Sequence, residues 1–260
     1  MRGLRRGLKA GLTLAIGALL WEGASRLFRV PSFLVPAPSA VLARLAGKGA
    51  LFVAHSWVTL IETLGGFAVG VLVGVAAAAV IVMLPALHDV IMPLLLVAQI
   101  VPKVAFAPIL LIWFGYGLIP KILIAFLVAF FPVVVSTTGG LVAAEPEMLE
   151  LGRSLEATRW QVFRMIQAPT ALPHLFSGMK VSVTLALIGA VIGEFVGGSK
   201  GLGYLIIIAN QELDTPLAFA ALLVLSLGGV ILYGAVELAE RAFIPWSLPA
   251  EPWQAGGLGA

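Results

Sequence analysis

The chain has 260 residues, of which 60% are hydrophobic and only 11% are charged, and it contains no cysteine. A soluble domain carries about 25% charged residues, so this composition predicts a polytopic membrane protein. The formal net charge of +3 is too small and too dispersed for a nucleic-acid-binding surface. Without cysteine there is no disulfide or thiolate site, and His55, His88 and His174 lie on different segments. No metal site is therefore predicted.

Six apolar stretches are long enough to cross a bilayer. A helix that rises about 1.5 Å per residue needs about 20 apolar residues to cross about 30 Å of hydrocarbon. The predicted spans cover residues 8–28, 57–84, 90–114, 118–140, 172–196 and 216–244. The sequence therefore predicts an all-α fold with a single transmembrane domain over residues 1–260.

The basic residues predict how the chain is oriented. Arg2, Arg5, Arg6 and Lys9 precede the first span, which favours a cytoplasmic N-terminus on an uncleaved first helix. Six spans return the C-terminus to the same side, so we expect a multi-pass protein of the cell (inner) membrane with both termini in the cytoplasm. Outside, residues 31–56 are predicted to form a short surface helix that Ser39 caps.

Residues 145–169, which we call the helical loop, form the one long polar interruption between spans. Met148, Leu151 and Leu155 recur on one helical face. Thr158 and Gln161 have the spacing of a capping box, so a second short helix is predicted to begin there and to end before Pro169. The pattern alone leaves two interpretations open: a segment lying on lipid headgroups, or a surface that binds another protein.

The helical loop resembles the EAA loop of ABC importer permeases. Glu150 takes the Glu position, and Ile166 and Pro169 match in register, whereas Leu151, Gly152, Glu156 and Ala168 depart from the pattern. Glu156 replaces a turn glycine, which can adopt a positive φ that Glu resists. The ATPase-coupling surface is predicted to comprise Glu150, Gly152, Arg153, Glu156, Ala157, Arg159, Trp160, Phe163, Arg164, Ile166 and Pro169.

Four further segments carry the same resemblance: VPSFLVPAPSAV at 30–41, FAPILLIWFGYG at 106–117, FFPVVVSTTGGL at 130–141 and GEFVGGSKGLGYLI at 193–206. They are similar to the branch that handles sulfonates, taurine, nitrate and pyrimidine-type vitamin precursors. The resemblance implies a six-helix permease whose family core covers about residues 57–244 and which pairs with a second copy. It also implies two ATP-binding subunits, which hold ATP and Mg, and an extracytoplasmic solute-binding protein.

Polar residues inside the spans are candidates for the translocation path, because a charge at membrane depth is costly unless it is paired or hydrated. These candidates are Glu62, Gln99, Pro102, Lys103 and Glu194. For Glu62 and Glu194 the alternative is extension to the outer interface, and for Lys103 it is an ion pair with one of them. Gly65, Gly66, Gly70 and Gly74 are predicted to allow close helix packing.

Other functional classes are disfavoured. The sequence has no HExxH, GxSxG or GxxxxGK[ST] motif, so the chain is expected to be non-catalytic and to bind no cofactor itself. A secondary transporter or channel remains an alternative, although neither needs the helical loop. For the solute, the resemblance leans towards a vitamin precursor or nitrogen heterocycle, of the pyrimidine or flavin type, with a sulfonate, taurine or nitrate as the alternative.

Overall fold

The computed structural model describes the backbone of residues 2–247, and the side chains of residues 1–11, 14, 85–89 and 247–260 lie outside the description. The predicted roles of Arg2, Arg5, Arg6, Lys9 and His88 therefore also lie outside it. Every regular element within residues 2–247 is helical, which confirms the all-α prediction. The helices are α1 (Arg2–Leu27), α2 (Pro38–Gly47), α3 (Gly49–Met83), α4 (Pro85–Ile100), α5 (Ala107–Phe114), α6 (Leu118–Val142), α7 (Pro146–Ser154), α8 (Arg159–Val162), α9 (Ala168–Gly197), α10 (Leu202–Gln211) and α11 (Thr215–Phe243).

Four helices in the described part are long and apolar enough to cross a membrane: α3, α6, the continuous run Arg159–Gly197 and α11. Val90–Ile100 and Lys103–Phe114, which meet at an angle of 79°, are together long and apolar enough for a fifth crossing, either as one broken span or as a re-entrant loop. Helix α1 has 26 residues at the predicted first span, but it is less apolar than the others and is not among these five. The count of six spans stays a prediction.

Helix α6 lies at the centre of the bundle, and small residues let two neighbours approach it closely. A Cβ atom added to Gly66 of α3 would lie 2.3 Å from the Ala125 Cβ of α6, and one added to Gly189 of α9 would lie 2.7 Å from the Ala125 Cα. Since real Cβ atoms do not approach so closely, only glycine fits at these two contacts. The prediction that the glycines of the second span serve packing is confirmed.

Helix α10 was not predicted, and its residues belong to one of the buried apolar clusters of the bundle. Leu205 and Ala209 of α10 pack with Ala221 of α11 and with Val41 of α2 in one buried apolar cluster. Because α2 packs on these helices, it is part of the bundle as well as of its surface. An ion pair of 3.0 Å between Arg44 of α2 and the Asp214 carboxylate fixes this contact.

Two local predictions are wrong. Ser39 does not cap α2: its N–H and hydroxyl both donate to the Glu22 carboxylate of α1, at 2.9 and 2.7 Å, so α1 supplies the cap. Pro169 does not end a helix either. Residues Phe163–Gln167 form a π-helical turn in which the Ala168 N–H donates to the Phe163 carbonyl. Because proline has no N–H, Pro169 cannot donate a backbone hydrogen bond to the preceding turn. The wider π-helical turn lets the helix continue past this position.

Candidate functional site

The turn of the helical loop joins α7 to α8 and keeps the geometry of a glycine turn. Glu156 has φ of +53°, and the Ala157 N–H donates to the Gly152 carbonyl at 3.0 Å. A left-handed conformation costs a non-glycine residue roughly 1–2 kcal/mol. The departure from the EAA pattern at position 156 therefore leaves the turn in place at an energetic cost.

The second helix of the loop begins with the predicted capping box. The Gln161 N–H donates to Thr158 Oγ1 at 3.3 Å, and the Thr158 N–H donates to Gln161 Oε1 at 2.8 Å. Helix α7 packs back on this turn through Gly152, where an added Cβ would lie 3.3 Å from Val162 Cγ2 and 3.5 Å from Ile166 Cδ1. The helical loop is thus a compact helix pair directly continuous with α9.

The outer side of the helical loop is apolar and uncovered within the described chain. Five large apolar side chains there are between 44% and 75% exposed: Met148, Leu151, Leu155, Trp160 and Met165. Glu150, Arg153, Arg159 and Arg164 are exposed around them. Apolar and aromatic side chains among arginines have the composition of protein-binding surfaces.

Phe163 does not belong to that surface, and its predicted exposure is wrong. Its ring packs against the buried cluster that contains Ala78 and Ile81 of α3. On its other side it stacks on Trp160, with the ring centroids 5.6 Å apart. Both sides of this short helix carry large apolar residues, so the periodicity could not decide which of them faces inward.

At the opposite end of α9, buried polar groups connect four helices. We call this group, which comprises His55, Thr59, Glu62, Lys121 and Glu194, the polar joint. The Lys121 ammonium donates to Glu62 Oε1 at 2.7 Å, and their side chains are only 7% and 1% exposed. Since α9 starts at the helical loop, the helical rise from Ala168 to Glu194 separates the two ends by about 39 Å.

This ion pair decides two alternatives that the sequence left open for Glu62. Glu62 does not extend to an interface, because it is buried, and its partner is Lys121 and not Lys103. Lys121 is not among the candidates predicted from the sequence. Its 59-residue separation from Glu62 left no signal in the sequence.

Glu194 is likewise buried and holds the start of α10. Its carboxylate accepts hydrogen bonds from the Gly203 N–H at 2.5 Å and from the Thr59 hydroxyl at 2.6 Å. The Thr59 hydroxyl in turn accepts from the Leu202 N–H at 2.9 Å. These contacts satisfy amides of the first turn of α10, where a helix favours negative charge.

Glycines after α9 let the backbone approach the Glu194 carboxylate closely. Gly201 has φ of +114°, and a Cβ atom there would lie 2.1 Å from Glu194 Cδ. At Gly203 an added Cβ would likewise lie 2.8 Å from Glu194 Oε2, so these two glycines are explained by the close approach of the backbone to the Glu194 carboxylate.

His55 completes the polar joint in a structural role. Its Nδ1 lies 3.0 Å from the Gly201 backbone nitrogen, and its ring stacks on Tyr204 with centroids 6.2 Å apart. Within the described residues, no three His, Asp or Glu side chains come together as a metal site.

The other path candidates lie at the break between α4 and α5. The Lys103 ammonium donates to the Gln99 carbonyl at the end of α4 and lies 4.4 Å from the centre of the Phe131 ring. Pro102 precedes it at the break, and Pro108 lies in the first turn of α5, where proline is tolerated. The structure thus divides the five candidates: Gln99, Pro102 and Lys103 lie at the break, and Glu62 and Glu194 in the polar joint.

Comparison with known proteins agrees with this architecture. Residues 70–245 match the family described as binding-protein-dependent transport system inner membrane component. Three relatives are similar over nearly their whole length. A probable ABC transporter permease protein of Haemophilus influenzae is 35% identical, over 94% of this chain and 99% of the relative. The riboflavin transport system permease protein of Chloroflexus aurantiacus is 37% identical, over 90% and 88%. The formylaminopyrimidine transport permease protein of Halalkalibacterium halodurans is 32% identical, over 88% and 91%.

A solved structure shares the fold. A chain of the MetNI methionine ABC transporter, in an inward-facing conformation, superposes with a TM-score of 0.67 at 19% identity. The match covers 75% of this chain and 97% of that one.

Proposed function

The chain belongs to the family of binding-protein-dependent transport system inner membrane components, and from that premise we propose that two copies of it form the solute path of an importer. The chain is therefore a permease subunit of an ABC transporter. This membership excludes the alternative of a channel or a secondary transporter. In the proposed assembly two ATP-binding subunits dock on the helical loops and hold ATP and Mg. A solute-binding protein delivers solute at the end that contains the polar joint.

The exposed apolar face of the helical loop is the observation that carries this proposal. Leu151 and Leu155 are more than half exposed, although the rest of the loop is capped and packed. Burying such side chains contributes about 1.5–3 kcal/mol each, so the face gains stability when another protein covers it. A complementary groove on the ATPase would accept it.

The same geometry supports a lever mechanism. The helical run Arg159–Gly197 has 39 residues and connects the docking surface to the far end of the bundle without interruption. When ATP closes the two ATPase subunits, the loops move with them, and each α9 transmits that movement across the membrane. The break between α4 and α5 is a point where one half of a span can reorient.

The helical loop is proposed to lie in the cytoplasm, with both chain termini on the same side of the cell membrane. The three arginines of the loop, Arg153, Arg159 and Arg164, are all exposed, which agrees with the enrichment of arginine in cytoplasmic loops. Cysteines introduced at Met165 and at Lys200 should react with an impermeant reagent from opposite sides of the membrane. Labelling of both from one side would contradict this topology.

Substituting Leu155 tests the docking. We expect Leu155→Asp to abolish co-purification of the ATPase and solute-stimulated ATP hydrolysis, because a charge would be buried in the interface. Thermal unfolding of the permease alone should not change, since the side chain is 72% exposed. Leu34→Asp, at an exposed leucine of the segment between α1 and α2, is the control and should leave the ATPase bound. ATPase binding at the wild-type level by Leu155→Asp would refute the docking.

For the path, the proposal places solute at the break, beside Gln99, Pro102 and Lys103. Lys103 is only partly buried and contacts a ring and a carbonyl rather than a carboxylate, so its charge is available to a solute. Lys103→Met should lower uptake at limiting solute several-fold and leave ATPase binding intact, whereas Lys48→Met, on the loop between α2 and α3, should change neither. Unchanged uptake by Lys103→Met would remove Lys103 from the path.

A vitamin precursor with a nitrogen heterocycle is the proposed solute class. Support comes from the relatives named for riboflavin and formylaminopyrimidine transport, at 37% and 32% identity. An organic sulfonate, taurine or nitrate is the second candidate, which the charge of Lys103 favours. Competition of uptake by unlabelled riboflavin, aminopyrimidines and taurine distinguishes the two classes.

A further inference from the structure

An open cavity of about 430 Å³ lies between the helical loop and the end of α3. Its lining combines apolar residues of α3 and of the π-helical turn with two arginines and a glutamine. These residues are Val82, Met83 and Phe163, and Arg153, Arg159 and Gln167.

The charge of the cavity is positive and unbalanced. No carboxylate lines it, and neither Arg153 nor Arg159 forms an ion pair with a carboxylate of the described residues. Glu150 and Glu156 are close in sequence but are not part of the lining. Two guanidinium groups at one cavity match the oxygens of a phosphate, to which arginine binds in a bidentate manner.

The position of the cavity indicates which kind of molecule carries the phosphate, a phospholipid or a soluble anion. Met83 is the last residue of the spanning helix α3, so the cavity lies at the depth where hydrocarbon gives way to headgroups. A soluble anion would leave the apolar residues of the cavity lining without a contact. A phospholipid presents a phosphate and an acyl chain together.

We infer that this cavity binds the headgroup of an anionic phospholipid, with its phosphate between Arg153 and Arg159 and the start of an acyl chain against Val82 and Phe163. Basic pockets at the ends of spanning helices are suited to such lipids. The bound lipid would bridge the end of α3 and the helical loop. This inference needs only the membrane placement of α3 and is independent of ATPase docking.

Lipid retention by the permease alone tests the inference, because no ATPase is then present to fill the cavity. The full chain is purified in detergent with an equimolar mixture of phosphatidylglycerol and phosphatidylcholine, and the lipids retained are counted by native mass spectrometry. Wild type should retain phosphatidylglycerol preferentially. Arg153→Gln/Arg159→Gln should reduce that retention about tenfold, as expected for the loss of charge-assisted hydrogen bonds.

A matched pair separates the cavity from bulk charge. Arg164→Gln/Arg241→Gln also removes two exposed arginines, but outside the cavity, and should retain the lipid as wild type does. Equal loss in both pairs, or equal retention, would overturn the inference. So would protection of the permease against thermal unfolding by inorganic phosphate alone, because the ligand would then be a soluble anion. Normal lipid retention by Arg153→Gln/Arg159→Gln together with loss of ATPase binding would assign the cavity to an acidic group of the ATPase and also refute the lipid.

Discussion

The two ends of α9 are built in opposite ways. Around the helical loop, apolar side chains such as Leu155 are exposed, whereas at the polar joint charged side chains such as Glu62 and Glu194 are almost completely buried. The loop is thus well formed but uncovered, and the joint is covered and internally bonded. The docking proposed above would cover the loop, whereas the joint holds the chain's own helices together.

The largest effect is expected at the ion pair of the polar joint. Lys121→Met should destabilise the protein by about 3–5 kcal/mol, because it leaves the Glu62 carboxylate buried without its cation. Glu62 Oε2 lacks a hydrogen-bond partner among the described residues, and Lys121 is the cation that this carboxylate contacts. Thermal and denaturant unfolding in detergent measure this loss.

A double substitution controls for the change in packing. Glu62→Leu/Lys121→Met removes both charges together and should recover most of the lost stability, since a buried pair can be replaced by apolar residues of similar volume. If the single variant is as stable as wild type, the ion pair does not hold the joint. In that case the contrast between the two ends of α9 disappears.

A smaller but clear effect is expected at Gly201. An alanine there needs a φ of +114°, and its Cβ would fall on the Glu194 carboxylate, so the loop must move and the cap of α10 is lost. Loss of such a cap costs about 1–2 kcal/mol, with backbone strain in addition. We expect Gly201→Ala to lower the unfolding temperature and to speed hydrogen exchange in the first turn of α10.

Gly234 is the matched control for this substitution. It lies inside α11, with no atom within 4 Å of an added Cβ, so Gly234→Ala should be neutral or stabilising by up to about 1 kcal/mol. Equal behaviour of the two variants would mean that the segment after α9 does not need its glycine.

Much of the helical loop could be predicted because its determinants are close in sequence. The capping box joins residues three apart, and the apolar face of α7 repeats with the helical period. The polar joint joins residues 59 and 135 apart, and no local pattern reports such a pairing. The sequence showed that Glu62 and Glu194 are costly at membrane depth, but it could not identify Lys121 and the α10 amides as their partners.

Other elements lie between these two cases. The apolar residues Leu202, Leu205, Ile206 and Ala209 recur at helical spacing, which is a local signal for α10, but its ten residues are too few for a membrane span. The orientation of Phe163 could not be predicted from its own segment, because only α3 determines which side is covered.

The smallest predicted effect compares the loop with its family pattern. Glu156 holds a left-handed conformation that glycine adopts without strain. Glu156→Gly should therefore stabilise the turn, since the relief of about 1–2 kcal/mol exceeds the entropic cost of roughly 0.5–1 kcal/mol for a glycine. Slower hydrogen exchange of the Ala157 and Thr158 amides would show this stabilisation, and the exchange of amides at the polar joint should not change. Glu147→Gly, in the ordinary helical backbone of α7, is the control and should destabilise that helix by up to about 1 kcal/mol. Faster exchange in Glu156→Gly would mean that the glutamate side chain contributes more to the turn than its backbone strain removes.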